Sequence, residues 1–298
     1  MSGATTKSKQ AKKAEKAPRY LPENDCTPTQ DTWQPRKGNI LEVKAQSAQP
    51  FRGLLEALKA VLMEANLVFS DNGLRMAAID NNRNVLAHLA IPVASFENYY
   101  CKERLVLGVD IALLQKIVRT AKPESTLTFV VHEDSPQILG ICLDNAEKAS
   151  EAFWPLPLRQ LSEYNVKDSI TFKEPPPQMP STDFQDIVRN MLSVGATRVE
   201  IQNLGDELTF IARDGPMSPR YTQKLRRPEL PEGSGQEEKE PELARGVFML
   251  RYLQGFTKAT AMSSHVHLYL QTKNPLLICE YGVFGLGTLK YALTGKQD

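Results

Sequence analysis

The chain carries one helix design twice. From Leu250 to Ser264 an apolar stripe is joined to a basic face, and Leu113 to Lys122 repeats the arrangement; both lead into strands of alternating apolar residues. A second pair, Phe51 to Met63 and Thr182 to Ser193, also precedes strands. The offsets are nearly equal, with Phe51 and Phe184 133 residues apart and Lys116 and Arg251 135 apart. Such spacing points to two copies of one helix-strand-helix-strand half.

With 298 residues and 41% apolar content, each half is long enough to bury its own core. No run approaches the roughly 18 apolar residues of a membrane span, and the N-terminus has no apolar signal region. The chain is therefore expected neither to cross a membrane nor to be secreted. Cys26, Cys101, Cys142 and Cys279 are widely separated and form no CxxC pair, which reads as reduced, mostly buried thiols. Residues 1–36, with Lys7, Lys9, Lys12, Lys13, Lys16 and Arg19 and almost no apolar periodicity, read as a disordered basic tail. That tail is either a nucleic-acid arm or localisation signal, or simply solvated. Asp214 to Glu242, rich in Pro and Gly, reads as an exposed loop in its second half.

Short strands fill the space between the helices. Asn66 to Phe69 and Leu74 to Ile79 flank an Asn-Gly turn at Asn72-Gly73, and Val85 to Ile91 continues the meander. Arg198 to Gln202 and Glu207 to Ala212 do the same around Asn203-Leu204-Gly205-Asp206. The expected class is α+β, with four helices on one side of antiparallel sheets.

The helix faces carry the chemistry. Phe51, Leu54, Leu55, Leu58 and Leu62 form a buried stripe, while Arg52, Glu56 and Lys59 share the opposite face. Lys116 and Arg119 are three apart, Arg189 lies with Asp186, and Arg251 and Lys258 stand two turns apart. These outward positions hold seven basic and two acidic residues in a chain of formal net charge +1, so charge is segregated onto the helices. A basic face without interleaved aromatics suits a phosphate backbone, double-stranded DNA contacted without sequence preference, rather than stacked bases.

The Leu250 to Ser264 block, Leu54 to Lys59, Ile79-Asp80-Asn81-Asn82, Leu107-Gly108-Val109 and Leu289-Lys290-Tyr291 resemble the eukaryotic, archaeal and viral sliding clamps, typified by proliferating cell nuclear antigen. The likeness runs from about Asn39 to Lys296. It implies a DNA clamp fold of two duplicated domains: a tail at 1–36, an N-terminal domain at 37–151, a connector at 152–165 and a C-terminal domain at 166–298. It further implies a homotrimeric ring that acts as a DNA polymerase processivity factor in replication and repair. The expected location is the nucleus, or the site of viral DNA replication in a viral member. Arg52, Lys59, Lys116, Arg119, Arg189, Arg251 and Lys258 fall at the family's pore-lining positions.

The resemblance also implies a peptide groove for a DNA polymerase and other clamp-binding proteins, lined by Arg83, Leu86, Leu156, Leu158, Leu161 and Pro275 and closed by Ala292 and Thr294. The connector, Phe153 to Ser162, is expected to run extended over it. A clamp loader is the further implied partner. Where the family has a second tyrosine, this chain has Ala292, so an aromatic wall of the pocket is lost. Gly53 and Asp186 replace basic pore residues of close relatives, and Leu204 stands where some relatives carry a modified lysine.

Subunits of the family join by edge strands. The matching residues are Lys148 to Phe153 on one edge and Tyr221, Thr222, Gln223, Lys224 and Leu225 on the other. The first segment is about three residues short, and Pro216 and Pro219 interrupt the second. A non-encircling monomeric processivity factor, or a subunit of a hetero-oligomeric checkpoint-type clamp, is the alternative. His265 and His267 point to one strand face, but no carboxylate or cysteine stands at ligand spacing. No phosphate loop or nucleophile elbow is present, so neither a cofactor, a metal nor catalysis is expected.

Overall fold

The computed structural model describes residues 33–163, 176–205, 207–224, 244–271 and 274–295. The expectations for the tail up to residue 32, Cys26, Asp206, Leu225 and the loop at 225–243, and the end of the connector from residue 164, lie outside the described residues.

The first half runs β1 (Asn39–Ala45), α1 (Gln49–Lys59), β2 (Glu64–Ser70), β3 (Gly73–Ile79), β4 (Val85–Ile91), β5 (Asn98–Cys101), β6 (Leu105–Asp110), α2 (Ile111–Arg119), β7 (Thr126–His132), β8 (Ile138–Asn145) and β9 (Ser150–Pro157). The second repeats the order, without a counterpart of β5 among the described residues, with β10 (Gln178–Pro180), α3 (Ser181–Ser193), β11 (Arg198–Asn203), β12 (Glu207–Arg213), β13 (Arg220–Lys224), β14 (Ala244–Met249), α4 (Leu250–Phe256), β15 (His265–Gln271), β16 (Leu276–Gly282) and β17 (Thr288–Thr294). A 3-10 helix, Thr257–Met262, prolongs α4.

Local chemistry accounts for these elements. Pro50 sits in the first turn of α1, where its missing N–H is no loss, and Phe51, Leu54, Leu55 and Leu58 bury one stripe. The Asp110 carboxylate caps α2 by accepting the Leu113 N–H at 3.0 Å. Gly73 closes the β2–β3 turn at φ 109°, and a Cβ there would stand 2.2 Å from the Ile91 carbonyl oxygen.

Three antiparallel sheets result. The first half forms β5-β1-β7-β8-β9, and the second forms β13-β12-β11-β14. The third, β10-β15-β16-β17-β4-β3-β2-β6, is shared, because β17 pairs with β4 from Thr288↔Ala90 to Leu293↔Val85. Apolar residues alternate along these strands, and their inward faces pack with the helix stripes into one core.

The duplication is confirmed, with one adjustment. Ile111 and Leu250 begin the second helix of each half, so the repeat sets Arg119 against Lys258. Pairing Lys116 with Arg251 is about one turn out of register. Prolines mislead more than spacing does. β9 continues to Pro157, taking up residues assigned to the connector, and β13 begins after Pro219. Lys148 lies before β9, in a short 3-10 turn ended by Ala149 at φ 44°.

Candidate nucleic-acid interface and peptide groove

The helices form one layer. α1 packs against α2 on one side and against the 3-10 helix on the other, and α3 packs against both α4 and the 3-10 helix. Arg52, Lys59, Lys116, Arg119, Arg189, Arg251 and Lys258 are all exposed on that layer. Among the described residues, Arg52, Lys116, Arg119 and Lys258 have no carboxylate within ion-pair distance. The Lys59 ammonium reaches only the Gln115 side-chain oxygen, at 3.4 Å.

Arg189 and Arg251 are engaged more closely. Arg189 is paired with Asp186 at 2.6 Å, and Asp183, one turn earlier, is also exposed, so α3 presents two carboxylates against one guanidinium. The net positive charge of the layer therefore comes from α1, α2, α4 and the 3-10 helix, while on α3 the Arg189 charge is offset. Arg251 lies over the Tyr252 ring, 4.8 Å from its centroid, and donates to the Tyr252 hydroxyl at 3.1 Å. A cavity of about 350 Å³ opens there between the halves, bounded by Arg251, Tyr252 and the turn Asp80-Asn81-Asn82.

Gly53, besides lacking a pore charge, leaves a notch in α1. A Cβ at Gly53 would stand 3.1 Å from the Phe284 ring, and Phe284, 48% exposed at φ 48°, fills the gap beside Met262.

On the outward face of the shared sheet the registers align an apolar row across five strands. Tyr269 is opposite Ile278, Ile278 opposite Ala292, Ala292 opposite Leu86, and Leu86 opposite Ile79. The adjoining row, His267, Glu280, Lys290 and His88, is polar, with Lys290 bound to Glu280 at 3.1 Å. Glu280 also accepts the Tyr269 hydroxyl at 2.9 Å, and burial first, then that carboxylate, push the Tyr269 phenol up to about 12.

The groove residues from sequence divide into two sets. Leu86, Ala292, Thr294, Pro275 and Arg83 gather at one end of β4, β17 and β16, where the Gly295 N–H donates to the Pro275 carbonyl at 2.7 Å and the Thr294 N–H to the Asn84 carbonyl at 3.1 Å. Leu161 lies over β6. The Asn66 amide holds the Ser162 carbonyl at 3.0 Å, and a Cβ on Gly108 would meet the Arg159 carbonyl oxygen at 2.1 Å, so Gly108 is what lets the segment lie close. Arg159 pins it further through Glu64 at 3.1 Å and Asp110 at 2.7 Å.

Leu156 is buried in the core and not in the groove, whereas Leu158 keeps a partly exposed face. Leu156 is opposite Leu139 and 2% exposed, a core residue, and Leu158 packs against the core. β17 and β6 stand four strand spacings apart, roughly 19 Å, which leaves room for one helix about 10 Å across. Ile79 and Tyr269, which sequence reasoning missed, are partly exposed members of the groove floor, and Ile278 between them is buried. Their alternation was visible, but which strands lie side by side was not.

Of the expected edge residues, Phe153 lies in β9 and Tyr221, Thr222, Gln223 and Lys224 in β13, the terminal strands of the two smaller sheets. Cys142 and Cys279 are buried free thiols and Cys101 is half-buried.

A duplicated α+β unit, fused through one shared sheet and carrying its helices in a single layer, is the architecture of a DNA clamp. Residues 40–163 match the family model for the proliferating cell nuclear antigen N-terminal domain, and residues 177–296 match that for its C-terminal domain. The chain belongs to the proliferating cell nuclear antigen family. It is 26% identical to proliferating cell nuclear antigen of Chaetomium thermophilum over 86% of this chain and 98% of that one. It is likewise 26% identical to a probable DNA polymerase sliding clamp of Paramecium bursaria Chlorella virus 1, over 85% and 96%. The crystal structure of the Entamoeba histolytica antigen superposes with a TM-score of 0.75 at 19% identity, covering 87% of this chain and all of that one.

Proposed function

We propose that this chain is a sliding clamp, a DNA polymerase processivity factor in which three copies form a ring around duplex DNA. The observation that carries the reading is the layer of exposed cations, Arg52, Lys116, Arg119 and Lys258 among them, that meets no neutralising carboxylate in the described chain. Such a face binds phosphates at any sequence and lets the protein slide. The outward groove over Leu86, Ala292, Ile79 and Ile278 receives a partner's apolar helical turn, and Leu161 forms its far wall. Ala292 enlarges the pocket, and Tyr269 supplies an aromatic wall two strands away. The protein performs no bond chemistry; ring closure makes polymerase binding intramolecular at high effective concentration. A clamp loader opens the ring, and the site of action is the nucleus or a site of viral DNA replication.

Linear duplex with both ends blocked, after the protein has threaded on, tests this directly. Retention through a high-salt wash, with loss from DNA whose ends are free, is the expected result. Equal loss from both would replace encirclement with one-sided binding.

A further inference from the structure

Two helices at the junction of the halves carry an interior glycine, Gly53 in α1 and Gly255 in α4. Glycine weakens a helix relative to alanine, so each position needs a reason in the space beside it. At Gly53 that space holds the Phe284 ring. At Gly255 it stays open: a Cβ there would stand 3.3 Å from the Val61 side chain, at the wall of the cavity of about 350 Å³ that Arg251 and Tyr252 bound. Gly53 and Ala60, which mark the two places on α1, lie about 10 Å apart along the helix.

Phe284 is held in its place against local preference. It lies in the turn between β16 and β17, with φ 48° followed by Gly285 at φ 78°, and the Leu286 N–H donates to the Val283 carbonyl at 2.7 Å. Two successive positive φ values across such a bond are the pattern of a type I′ turn, whose first position suits asparagine or glycine and not a bulky ring. The Phe284 N–H is tied to the Met262 carbonyl at 3.3 Å and the Cε2–Cζ edge of the ring meets Gly53, yet the side chain is still 48% exposed. Arg52, next to Gly53, and Lys258, on the same 3-10 helix as Met262, are exposed cations of the two elements that flank the ring. Glu56, the acid of α1, is within a helical turn of both Arg52 and Lys59, which outnumber it. The outward faces of α1 and the 3-10 helix hold no aromatic residue, and this turn supplies one.

The cavity at the other place is lined for a flat polar ring. The Arg251 guanidinium, set over Tyr252, offers a planar surface on which a base can stack. The Asp80 carboxylate accepts the Asn82, Asn84 and Val85 N–H groups at 3.2, 2.7 and 2.7 Å, which fixes the turn that carries Asn81 and Asn82. Their side-chain amides each present donors and an acceptor, matching the mixed edge of a base. Met63, 70% exposed, adds an apolar wall, and the Asn81 amide reaches its sulfur at 3.1 Å. We infer that this junction binds an unpaired stretch of DNA, with one base stacked on Phe284 and a second received in the cavity beside Arg251. Single strands are thereby added to the duplex met by the DNA-facing layer proposed above, on which this binding rests. Every base has a π-face, so the contact is as indifferent to sequence as the phosphate contacts beside it.

Fluorescence anisotropy of the full chain with labelled oligothymidylate and with blunt duplex tests this. Phe284→Leu keeps an apolar side chain on Gly53 without a stacking face, and is expected to weaken oligothymidylate binding about tenfold while duplex binding holds. Gly255→Leu, which fills the cavity, should likewise weaken only the single strand. Wild-type single-strand affinity in Phe284→Leu would leave the ring a packing residue and overturn the stacking; the same result in Gly255→Leu overturns the cavity contact. Phe284→Trp reads the stacking in a second way: its emission, beyond that of Trp33 and Trp154, should be quenched by oligothymidylate and not by duplex, and an unquenched signal overturns the stacking even where Phe284→Leu folds poorly. A wild-type protein that binds duplex but not oligothymidylate overturns this inference and keeps the DNA-facing layer. One that binds neither overturns the layer as well.

Discussion

The hydroxyl of Tyr252 accepts a 2.7 Å hydrogen bond from the side-chain amide of Asn84, a residue of the other half of the chain. The same oxygen receives the Arg251 guanidinium at 3.1 Å. Tyr252→Phe removes both bonds and keeps the ring, so it should cost about 1 kcal/mol and lower the thermal midpoint without weakening DNA binding. An unchanged midpoint would show that water serves Asn84 as well as the phenol does.

Charge reversal should separate the helices. Lys116→Glu and Arg119→Glu place carboxylates where no acid now stands, and each is expected to weaken duplex binding at every sequence. The neutralising Lys116→Ala should flatten the dependence of log affinity on log salt by about 0.9. Arg189→Glu should do far less, since Asp186 and Asp183 already offset that side chain. Equal effects in fluorescence anisotropy salt titrations would put α3 back on the DNA face.

Groove and core leucines should also part. Leu86→Asp puts a charge in the apolar row and should abolish capture of a clamp-binding peptide while the thermal midpoint holds. Leu156→Ala empties a buried site and should cost about 2–4 kcal/mol with peptide affinity intact. Calorimetric peptide titration beside thermal denaturation reads both; peptide loss in a folded Leu156→Ala protein would restore that residue to the groove.

Two carboxylates should give opposite pH signatures. The Glu200 side chain has no exposed surface and is paired with the guanidinium groups of Arg213 and Arg245. Burial pushes its pKa up, but the hydrogen bonds from Arg213 and Gln202 and the charges of Arg213 and Arg245 outweigh that and hold it below the ordinary range. Its contribution is present above the ordinary carboxylate pKa and lost as pH falls through the lower folded value. Glu200→Gln should therefore be destabilising at neutral pH and nearly neutral in acid.

Asp144 runs the other way, raised by burial and then by Glu151. A raised carboxylate favours the folded state below its unfolded pKa, and that advantage disappears as pH rises through the folded value. Asp144→Asn should accordingly raise stability at neutral pH and change little in acid. Urea midpoints across pH test the pair, and parallel curves for either variant would contradict its assignment.

Much of this architecture was legible because apolar spacing is a local signal. The stripe Phe51, Leu54, Leu55, Leu58 and the alternation at Leu74, Met76 and Ala78 can each be read without knowing the partner. Prolines misled, for a physical reason. Pro155 and Pro157 suggest an extended connector, yet both place their missing N–H on the side of β9 away from β8, where the ladder loses nothing. Leu156, between them, points into the core. The groove floor needed long-range register, since Ile278 and Leu86 share Ala292 only when strands far apart in the sequence are paired. Asp183 was in plain view, but its effect on Arg189 appears only once α3 shows one exposed face.

The β17–β4 seam also dictates an order of events during synthesis. Val85–Ile91 leaves the ribosome long before Thr288–Thr294 exists, so the nascent shared sheet waits with β4 exposed for most of translation. Contacts this distant in sequence form slowly. Until they do, β4 is a sticky flank for a chaperone to shield, or for β17 of a neighbouring nascent chain to occupy by exchange.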